Sequence, residues 1–405
     1  MSICYLFDID LIERHTYPTF PKLPNHALLK FSDYFKKKGY SVRLIVVPKD
    51  IPLIYNPNNV YIGSSLYSGN LLRFKKRLQK KITRNQLKID HIHIGTPTDY
   101  CPITDMKGIK ADYSIYDEMI KKYGIKLEWY PTNIGFLTRG CKRHCSFCVN
   151  RDKSEITPVN TLEEIYVKKG YDIELLDDNL LASDNATEYF TQIANFGEKN
   201  NVKFHLRNGL DLRVKLDDEL LLSLKNASKY FNSFHMAWDN VRNTPIYSNI
   251  CKYRKNIRID SVCYTLTGVN IYDREELYKD FLGIFYRWYL LRIIGVKPYI
   301  ALFEDDTGEY INPYWNLYKT IKLQYGLQKV DNLQHIKRKL NLSRVRLTDE
   351  VINILGDYSW LVEQPSGEVL RRETFDDDFK DIAKEIGVRH KSPPKELWIN
   401  FRDRK

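Results

Sequence analysis

Long apolar runs are missing from this chain. No stretch approaches the 18 or so unbroken apolar residues that a membrane span requires. FLGIFYRWYLLRIIG (281–295) comes closest, but Arg287 and Arg292 interrupt it, so a buried helix is expected there and no membrane partner. The opening MSICYLFDIDLIERH lacks the basic start and small-residue cleavage site of a secretion signal and reads as a first β-strand. There is no low-complexity tract and no repeat of fixed short period. No G-x-G-x-x-G follows the first strand, so the dinucleotide fingerprint is absent at that place. Cysteine is scarce, 7 in 405 residues. These absences predict a cytoplasmic protein, where thiols stay reduced and closely spaced cysteines point to metal rather than disulfides.

A hydrophobic content of 43% and an aromatic content of 13% indicate a folded globular chain. Its length is too great for one ordinary core. Residues 1–125 alternate apolar strands (3–9, 41–48, 59–65, 90–95) with amphipathic segments such as 25–39, where Gly39 is a stop. That order predicts a Rossmann-like parallel-sheet domain. Residues 126–310 alternate more regularly, with strands expected at 133–139, 172–178, 202–209, 233–239, 259–268 and 297–305. Helices are expected between them at 161–170, 186–200, 216–227 and 274–295. Six such units suit a partial (β/α)6 barrel with its chemistry at the C-terminal ends of the strands. Residues 311–405 read as a small, mostly helical C-terminal extension, with short helices at 348–355 and 377–387.

Three of the cysteines lie within GFLTRGCKRHCSFCVN (135–150), spaced C-x3-C-x2-C on the loop that leaves the first barrel strand. Thiolates bind soft metals and iron–sulfur clusters, and three ligands on a [4Fe–4S] cluster leave one iron open. The competing reading is a structural zinc site with a fourth protein ligand. His144 is a poor fourth ligand because it adjoins Cys145. Cys4, Cys101, Cys251 and Cys263 are isolated and read as small core residues.

TRGCKRHCSFC resembles the cluster loop of radical S-adenosylmethionine (radical SAM) enzymes, C-x3-C-x-aromatic-C, with Phe147 in the aromatic slot. The resemblance covers about 126–305. It implies that Cys141, Cys145 and Cys148 hold a [4Fe–4S] cluster whose open iron is chelated by SAM, and that an electron donor such as a flavodoxin or ferredoxin feeds it. It also implies a 5′-deoxyadenosyl radical as the agent that takes hydrogen from a substrate. By the same resemblance Asp177, Asp178 and Asn179, at the end of the second strand, stand where the SAM amino group is bound, although the usual Gly-Gly-Glu is absent. Arg207 and Asn208 end the third strand, with Arg207 placed for the SAM carboxylate. Asp239 and Asn240 end the fourth, either of them for the ribose; Gly268 ends the fifth, beside the adenine; Leu302 in the sixth offers an apolar wall. Read without the resemblance, the Asp–Asn pairs could equally be turn caps.

A Rossmann-like domain before such a barrel resembles cobalamin-dependent and methylthiotransferase-like members. His15, His26, His91 and His93 lie in no D-x-H-x-x-G motif, so a cobalamin site is not expected, and His91 and His93 read as strand residues. The net charge of +12 and the basic stretches RFKKRLQKKITR (73–84) and HIKRKLNLSRVR (335–346) permit a nucleic acid or nucleotide as substrate or partner. A solvated helix face explains the first stretch equally well. The alternative to an enzyme is a non-catalytic RNA- or DNA-binding protein in which the metal only staples a loop.

Overall fold

The computed structural model describes residues 2–13, 23–65, 68–79, 86–94, 109–127, 129–145, 147–148, 155–240, 244–257, 259–303 and 383–384. The expected C-terminal extension, with its helices and second basic stretch, lies outside the described residues apart from 383–384. The chain divides into two compact units. The first comprises 1–139, 157–177 and 200–203; the second comprises 140–156, 178–199 and 204–405.

The first unit is built on a four-stranded parallel sheet of β1 (Ile3–Asp8), β2 (Ser41–Ile45), β3 (Val60–Ser64) and β4 (His93–Ile94), in the order β2-β1-β3-β4. Its interior strand β1 is buried on both faces, with Leu6 and Phe7 both 0% exposed, which suits a parallel sheet covered by helices. On one face Cys4, Leu6, Leu44 and Ile62 pack with Leu28, Phe31 and Phe35 of α2 (His26–Lys37) and with Ile115 and Met119 of α4 (Ser114–Tyr123). On the other, Phe7, Ile45 and Tyr61 meet Phe74 and Leu78 of α3 (Ser68–Gln79). The short α1 (Ile9–Ile12) follows β1 directly, capped by Asp8. Gly39 ends the α2 turn at φ +84°, as its position in the sequence predicts.

The same unit holds β5 (Asn133–Gly135), which pairs in parallel with β8 (Ile173–Leu175), and a two-residue ladder of β6 (Thr138–Arg139) with β7 (Thr157–Pro158). The expected strand 133–139 is thus broken, because the Asp177 carboxylate takes the amides of Leu137 and Thr138. The helix expected over 161–170 begins at the Thr161–Glu164 capping box but stops early, as α5 (Leu162–Ile165). The buried Asn133 side chain accepts from the Lys168 N–H and donates to the carbonyls of Lys168 and Tyr171, replacing helical bonds there. His91, expected in a strand, instead closes a 3-10 turn. Its Nδ1 accepts from the Lys88 N–H, and its ring stacks on Tyr55 at 3.8 Å.

In the second unit, β9 (Phe204–His205) runs parallel beside the segment that opens β10 (Phe234–Ala237), through the bridges Phe204–Phe231 and Leu210–Met236. β10 pairs in parallel with β11 (Ser261–Thr267), and β11 with β12 (Lys297–Leu302). The helices α6 (Ala186–Asn200), α7 (Asp218–Ala227), α8 (Thr244–Asn256) and α9 (Arg274–Ile293) follow β8, β9, β10 and β11 in turn. Phe234, Met236, Trp238, Cys263 and Thr265 are buried, while His235, Ala237, Asp239, Val262, Tyr264 and Leu266 are half-buried. One face of this sheet is therefore core and the other is partly open. The fold is mixed α/β on parallel strands, and no described helix is long and apolar enough to cross a membrane.

Candidate functional site

The cysteine loop leaves the β6–β7 ladder, whose register sets Thr138 opposite Pro158 and Arg139 opposite Thr157. At its base Gly140 adopts φ +107°, and a Cβ there would lie 1.6 Å from the Glu155 carbonyl oxygen. Only a residue without a side chain fits. Three consecutive residues shortly past β8, Asp177, Asp178 and Asn179, then bond to successive points of this segment. Asp177 accepts from the N–H of Leu137 at 3.2 Å and from the Thr138 N–H and hydroxyl, the latter at 2.8 Å. Asp178 accepts from the Gly140 N–H at 2.9 Å. Asn179 donates to the Cys141 sulfur at 3.3 Å.

Cys141, Cys145, Cys148 and Phe147 are all half-buried. Cys141 Sγ also accepts from the Arg143 N–H at 3.4 Å, and Cys145 Sγ accepts from Arg213 Nη1 at 3.2 Å. Asp211 ties these donors together. Its carboxylate accepts from Arg213 Nε at 2.6 Å, Arg143 Nε at 3.0 Å and Asn179 Nδ2 at 2.9 Å. Burial works against the Asp211 anion, but Arg213, Asn179 and Arg143 outweigh it and hold its pKa below the ordinary carboxylate value.

Three thiols that are partly exposed, two of them receiving N–H donors, match in chemistry what an iron–sulfur cluster asks of a loop. Among the described residues no three His, Cys, Asp or Glu side chains converge as a preformed ligand set. Metal uptake would therefore draw the sulfurs together, as binding coupled to local ordering does.

The other strand-end residues fall as follows. Arg207 is half-buried after β9; burial first, then the Arg207 charge and the neighbouring His205, push the His235 pKa down to about 4. Asn208 is exposed. Asp239 follows β10; burial raises its pKa, with Arg213 and Arg287 opposing. The Gly268 N–H donates to Asp280 of α9 at 2.9 Å, and Leu302 pairs with Thr267 in the ladder. Phe147 and the three cysteines share one loop, and Asn179 is bonded to Cys141. Asp177, by contrast, has both carboxylate oxygens engaged by residues 137–138.

Sequence reasoning missed Asp211, Arg213, Arg143 and the buried Arg287. The signal for the first two was legible: an Asp-x-Arg spacing just past Gly209, on the strand end already singled out for Arg207 and Asn208.

Asp177 is 1% exposed, and burial raises its pKa to about 6 against the opposing pull of its three donors. A carboxyl whose folded pKa is raised binds its proton more tightly in the folded state. Its contribution to stability is present at low pH and is lost as pH climbs from its ordinary value near 3.8 through 6. Against Asp177→Asn, which carries no such charge, the parent should lose roughly 3 kcal/mol of local stability across that window. Hydrogen-exchange protection of the Leu137 and Thr138 amides, followed from pH 4 to pH 7 in both proteins, reads this out. Parallel profiles would refute it.

No family model matches this chain, and no curated protein matches it. Among solved structures it is similar to TsrM, a radical S-adenosylmethionine methyltransferase from Kitasatospora setae bound to cobalamin and a [4Fe-4S] cluster. The two share 11% identity, with 75% of each chain covered and a TM-score of 0.48. It is also similar to OxsB, a cobalamin-dependent S-adenosylmethionine radical enzyme bound to aqua-cobalamin and S-adenosylmethionine. There the identity is 13%, covering 79% of this chain and 55% of that one, with a TM-score of 0.46.

Proposed function

We propose that this protein is a radical SAM enzyme in which Cys141, Cys145 and Cys148 hold a [4Fe–4S] cluster. The observation that carries the reading is the C-x3-C-x-aromatic-C loop, anchored by successive residues from the end of the next strand at Gly140 and Cys141. A [4Fe–4S] cluster held by these three cysteines would supply the electron that splits the SAM sulfonium into methionine and a 5′-deoxyadenosyl radical. The chain's own residues bind and orient. Asp178 fixes the turn at Gly140, and Asn179 gives its amide to the Cys141 sulfur. Arg207 is the cation for the SAM carboxylate, with Asn208, Asp239, Gly268 and Leu302 along the following strand ends. Asp177 belongs to the support of residues 137–138 rather than to the cosubstrate. An electron donor such as a flavodoxin or ferredoxin completes the system.

A nucleic acid or nucleotide substrate draws its support from the net charge, the two basic stretches and the methylthiotransferase-like layout. In the first basic stretch, Arg77 is committed to the buried Glu13 at 2.8 Å and Arg73 bonds to Asn70. Lys80, Lys81 and Arg84 lie outside the described residues. In the first unit Tyr116 bonds to Asp8, at the end of β1, and to Asn25, and Asp10 bonds to Ser65 and Asn70. A cobalamin-binding measurement on the whole protein decides whether this unit takes that cofactor.

The test is anaerobic reconstitution of the whole protein. Iron and sulfide near four each per chain, with 5′-deoxyadenosine formed from SAM under reduction, are expected. Cys145→Ala should retain the fold by circular dichroism and lose both the cluster and the nucleoside. Stoichiometric zinc in place of iron, or undiminished nucleoside from the Cys145 variant, would overturn the proposal.

A further inference from the structure

The Asp211 carboxylate orients two nitrogen donors, each aimed at a different cysteine sulfur. Arg213 binds it through Nε and reaches Cys145 Sγ through Nη1; Asn179 binds it and reaches Cys141 Sγ with the same Nδ2. Arg143, from the cysteine loop itself, donates at 3.0 Å to the same carboxylate oxygen that Asn179 uses, and Arg213 takes the other. A loop strut would need only the Arg143 contact. The Arg213 fork does more, because it places a permanent positive charge and an N–H within hydrogen-bond distance of one sulfur.

We infer that Arg213, held in place by Asp211, is a positioning residue that sets the reduction potential of the bound cluster through the Cys145 sulfur. This rests on the proposed function, since it presupposes the cluster. Reduction adds one electron, and its negative charge spreads over the sulfurs. A donor at a sulfur stabilises the reduced state more than the oxidised one and raises the potential. Asn179 at Cys141 acts in the same direction without charge, so the larger part belongs to Arg213. The carboxylate is needed because an arginine side chain left to itself samples many rotamers, and the Nε–carboxylate bond fixes the guanidinium plane.

The test is an EPR-monitored potentiometric titration of the reconstituted whole protein, with dithionite as reductant, on the parent, Arg213→Met and Arg213→Lys. Each is first assayed for iron and sulfide. Arg213→Met should load the cluster fully and show about a tenfold lower ratio of reduced to oxidised cluster at a fixed potential, a downward shift of about 59 mV for a one-electron couple. Arg213→Lys, which keeps the charge but loses the fork, should fall between. A fully loaded Arg213→Met with the parent's midpoint would overturn the inference and leave the proposed function standing. Failure of both variants to load would make Arg213 a strut and also overturn it. A parent that takes up no cluster would instead sink the proposed function.

Discussion

Replacing Gly140 with alanine is expected to abolish cluster loading while leaving the rest of the chain folded. Two costs coincide at this position. The backbone sits at φ +107°, where an L side chain is strained, and the added methyl would fall 1.6 Å from the Glu155 carbonyl oxygen. Neither atom can yield alone, because the Gly140 N–H is held by Asp178 and the adjoining residues lie in the β6–β7 ladder. Relief requires opening the base of the loop, at a cost on the order of 3 kcal/mol or more. The cysteines then lose the placement that lets Asn179 and Arg213 meet two of them. Gly39→Ala is the control. It shares a positive φ of +84° but has nothing within 4 Å of the new Cβ, so it should cost only about 1 kcal/mol and load iron normally. Iron content after anaerobic reconstitution, beside the unfolding midpoint, separates the two variants. Normal loading of Gly140→Ala would show that the loop base is not closed in this way.

What could be read in the sequence was whatever has a period or a spacing. Strand–helix alternation located β1 to β3 and β8 to β12, since runs of two and of 3.6 survive in a one-dimensional string. Thr161 with Glu164 announced a helix start, because a capping box is local. The end of that helix was not legible. It depends on Asn133, which lies 35 residues from Lys168 and takes over its backbone bonds. The same distance effect hid two partners of Asp211, Arg143 and Asn179, which lie 68 and 32 residues away. Charged residues met inside apolar runs were the hardest to read. Arg287 looked like an interruption that merely ruled out a membrane span, whereas the fold uses it.

Replacing Arg287 with methionine is expected to loosen the C-terminal ends of β10 and β11 together. The side chain is 1% exposed, and the described bonds of its guanidinium all go to carbonyls. Nε returns to Gly283, one turn back in α9. Nη1 reaches Trp238 at 2.7 Å, Asp239 at 3.0 Å and Leu266 at 2.9 Å. Asp280, on the same helix, holds Thr267 and the Gly268 N–H. One helix thus grips both strand ends, with its cation on the carbonyls and its anion on the donors. Methionine matches the length of the stem but offers no donor. It leaves buried carbonyl oxygens at the strand ends unpaired, at about 1–3 kcal/mol each before relaxation. Relief from burying the charge offsets part of this, so a net loss of roughly 3 kcal/mol is expected. Asp239, losing one of the two cations that oppose the rise in its pKa, should take up a proton more readily. SAM binding, if it uses these strand ends, should weaken by about tenfold with the cluster still loaded, because the cysteine loop does not depend on Arg287. Urea unfolding, hydrogen exchange at the Gly268 amide and calorimetric titration of SAM into the reconstituted variant test the three effects separately. A variant within about 0.5 kcal/mol of the parent and unchanged in exchange at Gly268 would show that the strand ends hold without the guanidinium.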